Sequence, residues 1–296
     1  MNILISGSSG LIGSALSKSL LSSGHRVFPL VRNSSAEFFS WQPEEGKIYL
    51  DPAISLDVVI NLSGESSKGR WSEAKKQKIR DSRISTTSLL SQTISGLNHK
   101  PSLFISASAI GYYGDTGDTL VDESAENGSD FLAGVGAQWE QASLAARDAG
   151  IRTVNMRTGV VLGKEGGALK EMLTPFKMGL GGVIGSGQQY WSWVSLDELV
   201  NMIEFVIDTE SLRGPVNLVS KPAVTNKEFT QSLARVLNRP AILPMPAFMA
   251  RLLFGEMADA MLLSSVRVYP KKLENAGYRF MHSNLDDALS AVLDAA

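Results

Sequence analysis

Asn2-Ile3-Leu4-Ile5-Ser6 is a short apolar run, and Gly7-Ser8-Ser9-Gly10-Leu11-Ile12-Gly13 follows it at once. Leu11, Ile12, Ala15, Leu16, Leu20 and Leu21 then recur at helical spacing up to Gly24, and Arg26-Val27-Phe28-Pro29-Leu30-Val31 is a second strand-like run. The pattern predicts strand, glycine turn, helix, strand: the opening βαβ unit of a doubly wound, parallel α/β sheet of the Rossmann type. Gly7 permits the tight turn, Gly10 leaves room for a pyrophosphate, and Gly13 lets the helix pack on the sheet. The free N–H groups at the helix start, with the positive end of its dipole, would face phosphates. Ser8, Ser9, Leu11 and Ile12 complete this turn as expected cofactor contacts.

The end of the second strand bears on which dinucleotide binds. A unit that binds NAD usually places Asp or Glu there to accept from the ribose hydroxyls. Here the run is Val31-Arg32-Asn33-Ser34-Ser35, with no acid before Glu37. A carboxylate would repel a 2′-phosphate, whereas a guanidinium pairs with one, so Arg32 argues for NADP(H).

Composition narrows the class. The 296 residues are 44% apolar and 20% charged, with a net charge of −2, which gives no general drive toward nucleic acid or anionic membrane. The absence of cysteine removes disulfides and thiolate metal sites and suits a reducing compartment. The first residues lack a basic n-region, so no signal peptide is expected, and no uncharged apolar run reaches the ~18 residues of a membrane span. His25, His99 and His282 are scattered without metal-ligand spacing. The expectation is a soluble cytoplasmic protein with a small-molecule substrate and no metal, nucleic acid or membrane partner; a homodimer stays open.

Further along, Trp41 to Asp57 reads as a small hairpin or loop. Leu56 to Leu62 is the next strand, and Asn61, Leu62, Ser63 and Gly64 should form a loop on the cofactor side, beyond a carboxyl end. One or two helices are expected over Trp71–Ser95, with a basic beginning at Lys75, Lys76, Lys78 and Arg80 that reads as a solvated face or a phosphate contact. Leu103–Ala109 is a fourth strand, carrying Ser106 and Ser108 and running into Tyr112-Tyr113. Phe131–Ala149 reads as one helix and Arg152–Arg157 as a fifth strand. Ser195 with Glu198, and Thr225 with Glu228, carry the spacing of helix caps. Met residues near 248–263 suggest a helix that packs a core. The expected organisation is a cofactor domain over 1–163, with 190–220 returning to it, and a smaller C-terminal substrate lobe made of 164–189 and 221–296.

The whole chain resembles the extended short-chain dehydrogenase/reductase superfamily, of the nucleotide-sugar epimerase kind. The matching segments are Gly7–Gly13 in its G-x-x-G-x-x-G spacing, the serine strand ending at Ser108 before Tyr113-Gly114, Arg157–Gly163 and Trp191–Asp197. The tail, with Phe254-Gly255-Glu256, Pro270-Lys271-Lys272-Leu273 and Ala276-Gly277-Tyr278, is similar to an atypical branch labelled "epimerase family protein". Some members of that branch are also labelled cell division inhibitors. The resemblance implies NADP(H) as cofactor, Arg83, Ser106 and Arg157 among its contacts, and hydride-transfer chemistry with Ser108, Arg83, Tyr112 and Tyr113 as candidate catalytic groups.

The superfamily's Tyr-x-x-x-Lys pair is missing. No lysine lies between Lys100 and Lys164, no tyrosine between Tyr113 and Tyr190, and the expected positions hold Leu132 and Gly136. Ser108 keeps the serine position, and Arg83 stands where the superfamily usually has Asn. Arg83 could supply fixed charge to an anionic substrate or pair with Asp81 or Glu140. Tyr112 and Tyr113 could replace the missing proton donor or pack as aromatics, and Trp191 and Trp193 are expected to wall the substrate side. The favoured expectation is an epimerase-like oxidoreductase acting on a small polar substrate, with a nucleotide-linked one left open. The rival is a catalytically silent NADPH-binding regulator or scaffold.

Overall fold

Asn2–Ser6 (β1) lies between two strands, and Ile3, Leu4 and Ile5 are fully buried, as a parallel strand covered on both faces requires. The other strands of its sheet are Arg26–Leu30 (β2), Val58–Asn61 (β3), Leu103–Ala109 (β4), Arg152–Thr158 (β5) and Gly214–Leu218 (β6). Their spatial order is β2-β1-β3-β4-β5-β6, and every neighbouring pair is parallel. The order reverses at β1, which opens a crevice beyond the carboxyl ends of β1 and β3. The computed structural model describes residues 1–32 and 39–294; Asn33, Ser34, Ser35 and Glu37 lie outside the described residues.

Leu11–Ser22 (α1) starts from Gly10 without a side-chain cap. Glu73–Ser95 (α2) is one helix, started by Ser72, whose hydroxyl accepts from Lys75 N. Phe131–Gln141 (α3) is capped by Asp130, which accepts from Ala133 N. The single helix expected over 131–149 is broken. Ser143 is buried and its hydroxyl reaches back to the Glu140 carbonyl at 2.6 Å and across to Asn155 at 3.1 Å, so a separate turn, Leu144–Asp148, follows. Phe39–Gln42 and Lys47–Leu50 form the small antiparallel hairpin.

Hydrophobic cores follow from this layering. α1 and the helix Leu196–Asp208 cover one sheet face over Ile3, Ile5, Val154 and Ile203. α2 and the hairpin cover the other, over Leu4, Val59, Leu90 and Trp41. A third core joins Leu162 and Trp193 to Leu169, Phe229 and Leu289. Trp191 and Trp193 are buried in it instead of walling an open cavity.

The tail does not stay with that core. Leu273 is fully buried in the sheet core, with Ala276, Tyr278 and Phe280 packed against it, so this part of 221–296 packs on the sheet. The methionine helix is Ala247–Phe254; Gly255, at φ +62°, ends it before the turn Ala258–Leu263. Met156 and Met202 are core residues, but Met178, Met249, Met261 and Met281 are exposed.

Candidate active site

The glycine turn is shaped by close approach. A Cβ on Gly13 would lie 2.2 Å from the Gly7 carbonyl oxygen, and one on Gly7, at φ +70°, would lie 2.8 Å from the Leu62 oxygen. Among the described residues only the Gly7 oxygen, at 3.3 Å, lies near a Cβ built on Gly10, and the outer side of that residue is open. Gly13 and Gly7 therefore bring helix, turn and the loop after β3 together, and the uncapped start of α1 stays accessible. These positions fit a pyrophosphate. Ser8 is half-buried and Ser9 exposed on the same turn. Leu11 packs instead on Gly163 and Gly166, which joins the turn to the lobe. Ile12 packs against the sheet core.

The crevice floor is held by a buried polar chain. Ser6 donates to Asn61 Oδ1 at 2.6 Å, Asn61 donates to Thr87 at 2.8 Å, and Trp139 Nε1 donates to the same Thr87 hydroxyl at 2.9 Å. Asn61 Oδ1 also accepts from Ser63 N, which shapes the loop 61–64. Asn61 thus ties the ends of β1 and β3 together, with its side chain turned inward. Leu62 and Ser63 are half-buried and Gly64 is exposed. Ser106 is fully buried, and its hydroxyl bonds to the Ala107 carbonyl. Arg32 is exposed at the end of β2.

Arg83 pairs with neither Asp81 nor Glu140 among the described residues. It donates to the carbonyls of Glu65 and Ile79, both at 2.9 Å, and stacks on Trp139 with 5.0 Å to the ring. Its guanidinium lies 3.5 Å from where a Cβ of Gly64 would stand, so it braces the loop after β3. Burial pushes its pKa down.

Arg157 is the residue that takes Glu140. The two form a bidentate pair at 2.8 and 2.9 Å, with side chains only 3% and 12% exposed. Ser108, level with Arg157 across the sheet, donates to Glu140 Oε1 at 2.8 Å. Arg157 also donates to the Tyr113 hydroxyl at 3.0 Å, and Tyr113 donates to Asn217 Oδ1 at 2.7 Å. Burial works against the Arg157 charge, but the hydrogen bonds and charge of Glu140 outweigh it and raise the pKa. Tyr113 is buried, and that burial pushes its phenol up to about 12.

Arg157 and Tyr113 therefore serve an internal network, and neither presents a free polar head to the crevice. Tyr112 is half-buried with its ring 3.5 Å from the Arg157 guanidinium. The helix positions of the absent pair are filled: Leu132 packs on Gly111, and a Cβ on Gly136 would lie 3.2 Å from Tyr112 Cα. A larger side chain at 136 would have to displace Tyr112.

Asn217, Thr87 and Trp139 belong to these networks although sequence reasoning assigned them no such role, and Glu140, expected as a possible partner of Arg83, pairs with Arg157 instead. Among the described residues no cluster of His, Asp or Glu could hold a metal ion, and no helix is long and apolar enough to cross a membrane.

Residues 3–218 match the NAD dependent epimerase/dehydratase family. The chain belongs to this family. Within it, an epimerase family protein of Mycobacterium leprae is 44% identical over 97% of this chain and 94% of its own length. The Bacillus subtilis epimerase family protein YfhF is 37% identical over 99% and 98%. The crystal structure of human epimerase family protein SDR39U1 with NADPH superposes with a TM-score of 0.91 at 31% identity, covering 100% of both chains. Residues 245–292 of this family member also match a domain of unknown function.

Proposed function

We propose that the chain is an NADP(H)-dependent, epimerase-like oxidoreductase acting on a small polar C–OH or C=O centre, with nucleotide-linked substrates included. The turn in which Gly13 and Gly7 admit no Cβ, while Gly10 stays open, carries this reading. The human relative crystallised with NADPH supports the choice of cofactor. Gly7–Gly13 and Ser63-Gly64 would hold the dinucleotide, and its nicotinamide would supply a hydride donor or acceptor. Ser108, at the carboxyl end of β4, and Tyr112 beside it are the groups offered to the substrate. Arg157 and Glu140 orient Ser108 from within.

Cofactor choice is the sharpest test. NADH and NADPH share the pyrophosphate, so discrimination falls to the end of β2, where Arg32 is followed by no acid before Glu37. A charge-assisted pair there is worth about 1.5–3 kcal/mol, or roughly ten- to a hundredfold in affinity. Calorimetric titration at fixed salt should show wild type preferring NADPH by that factor and Arg32→Ala losing most of it. Equal binding of the two cofactors by wild type would remove the NADP(H) assignment.

A second reading, an NADPH-bound regulator, is favoured by Leu132 and Gly136 and by the commitment of Tyr113 to Asn217. Single-turnover oxidation of bound NADPH against a panel of carbonyl compounds and nucleotide sugars separates the two. Oxidation by any member supports the enzyme, and none across the panel supports the regulator.

A further inference from the structure

Glu65 stands on the loop leaving β3, and three contacts pin it across α2. Its N–H donates to Ser82 Oγ at 2.9 Å, its carbonyl accepts from Arg83 at 2.9 Å, and its carboxylate takes Lys75 Nζ at 2.6 Å. Lys75, Lys78 and Ser82 follow one another at i, i+3 and i+7, so they form one stripe of the helix. Lys78 thus stands between the two residues that grip Glu65, and it is exposed. The hydrogen bond from Lys75, then the charges of Lys75, Lys78 and Arg32, hold the Glu65 carboxyl below the usual carboxylate range. Arg32 follows β2, two strands from β3 in the sheet order, so it stands at the same end of the sheet with about 10 Å between the two strands for its side chain to cover.

Among the described residues, Arg32, Lys75 and Lys78 outnumber the Glu65 carboxylate by two charges at the end of the sheet where the adenosine of a dinucleotide on Gly7–Gly13 would lie. A phosphate monoester carries about −1.5 to −2 near neutral pH. The ribose hydroxyls of NADH bring no charge to the same place.

We propose that Lys75 and Lys78 of α2 complete, with Arg32, the subsite for the 2′-phosphate of NADP(H), and that the Glu65 carboxylate holds Lys75 there until phosphate replaces it. This rests on the NADP(H) reading above. It divides the discrimination among three cations on two elements, so Arg32→Ala alone leaves a residual preference for NADPH.

The test is the ratio of NADPH to NADH affinity, by calorimetry at fixed low salt. Lys78→Ala and Lys75→Ala should each lower the ratio about three- to tenfold, as expected for a partly solvated charge. Lys78→Glu should lower it further, and Arg32→Ala combined with Lys75→Ala and Lys78→Ala should bring it near one. Glu65→Gln should raise the ratio, and a fall would overturn the role given to its carboxylate. If Arg32→Ala lowers the ratio while both lysine variants keep the wild-type value, the inference fails and the NADP(H) reading stands. If wild type itself does not discriminate, the NADP(H) reading fails first. Thermal melts of each variant without cofactor check that the fold is intact.

Discussion

Ser108 has one proton, and it lies on Glu140. Glu140, as a carboxylate paired with both nitrogens of Arg157, accepts, and Ser108 Oγ is the donor. Toward a substrate Ser108 then offers lone pairs, which suit a hydroxyl better than a carbonyl. Ser108→Ala should lower turnover on any confirmed substrate at least tenfold while NADPH affinity changes little, because no cofactor-holding group is removed. Equal turnover by variant and wild type would take Ser108 out of the chemistry. Glu140→Ala acts differently, because it leaves Arg157 charged and buried without its partner. A loss of about 3–5 kcal/mol in urea unfolding is expected, with Glu140→Gln costing less. The Arg157–Glu140 pair was not legible in the sequence. The two residues are 17 apart, and only the placement of α3 against β5 brings them together. Arg83 was legible as a charge near the site but not in its role, since its partners are backbone carbonyls that carry no sequence signal.

At the scale of elements, local chemistry was readable wherever it was self-contained. Gly7, Gly10 and Gly13 announce their turn by spacing. The caps at Ser195 and Thr225 form as their sequences direct, with Thr225 and Glu228 making the full reciprocal box. Breaks that depend on distant partners were not readable. Ser143 ends a helix by bonding to Asn155 on the next strand, and Leu273 joins the sheet core from a tail that looks like lobe sequence. Gly13→Ala probes the readable kind. Its methyl would stand 2.2 Å from the Gly7 oxygen and 2.8 Å from Ser8 Cα, both backbone, so α1 must move off the sheet. A loss of about 1–3 kcal/mol in denaturant unfolding is expected, together with loss of NADPH binding by calorimetry. Full NADPH affinity in Gly13→Ala would show that the turn is not the pyrophosphate seat.

Across the whole molecule, the C-terminal tail is stitched to the sheet edge through the acidic stretch after Tyr113. Leu120–Val121 pairs in parallel with Arg267–Val268, and Thr116 N donates to the Ser265 carbonyl at 2.7 Å. Glu123 accepts from Asn217 N of β6 and from Lys272 N, so one carboxylate joins strand edge and tail. Lys271 and Asp122 close the seam at 2.7 Å, with side chains 54% and 22% exposed. The hydrogen bond from Lys271, reinforced by those from Ser124, pulls the Asp122 carboxyl down to about 2. A carboxyl lowered on folding stabilises the protein above its unfolded pKa, near 4, and loses that contribution as pH falls toward 2. Asp122→Asn should therefore be less stable than wild type at pH 7, by on the order of 1 kcal/mol for so exposed a pair. The gap should close between about pH 4 and pH 2, where wild-type Asp122 takes up its proton. Circular dichroism of urea unfolding at stepped pH reads the gap directly. A difference that stays constant down to pH 2 would mean that the seam is held by its backbone pairing and Glu123, with Asp122 contributing nothing through its charge.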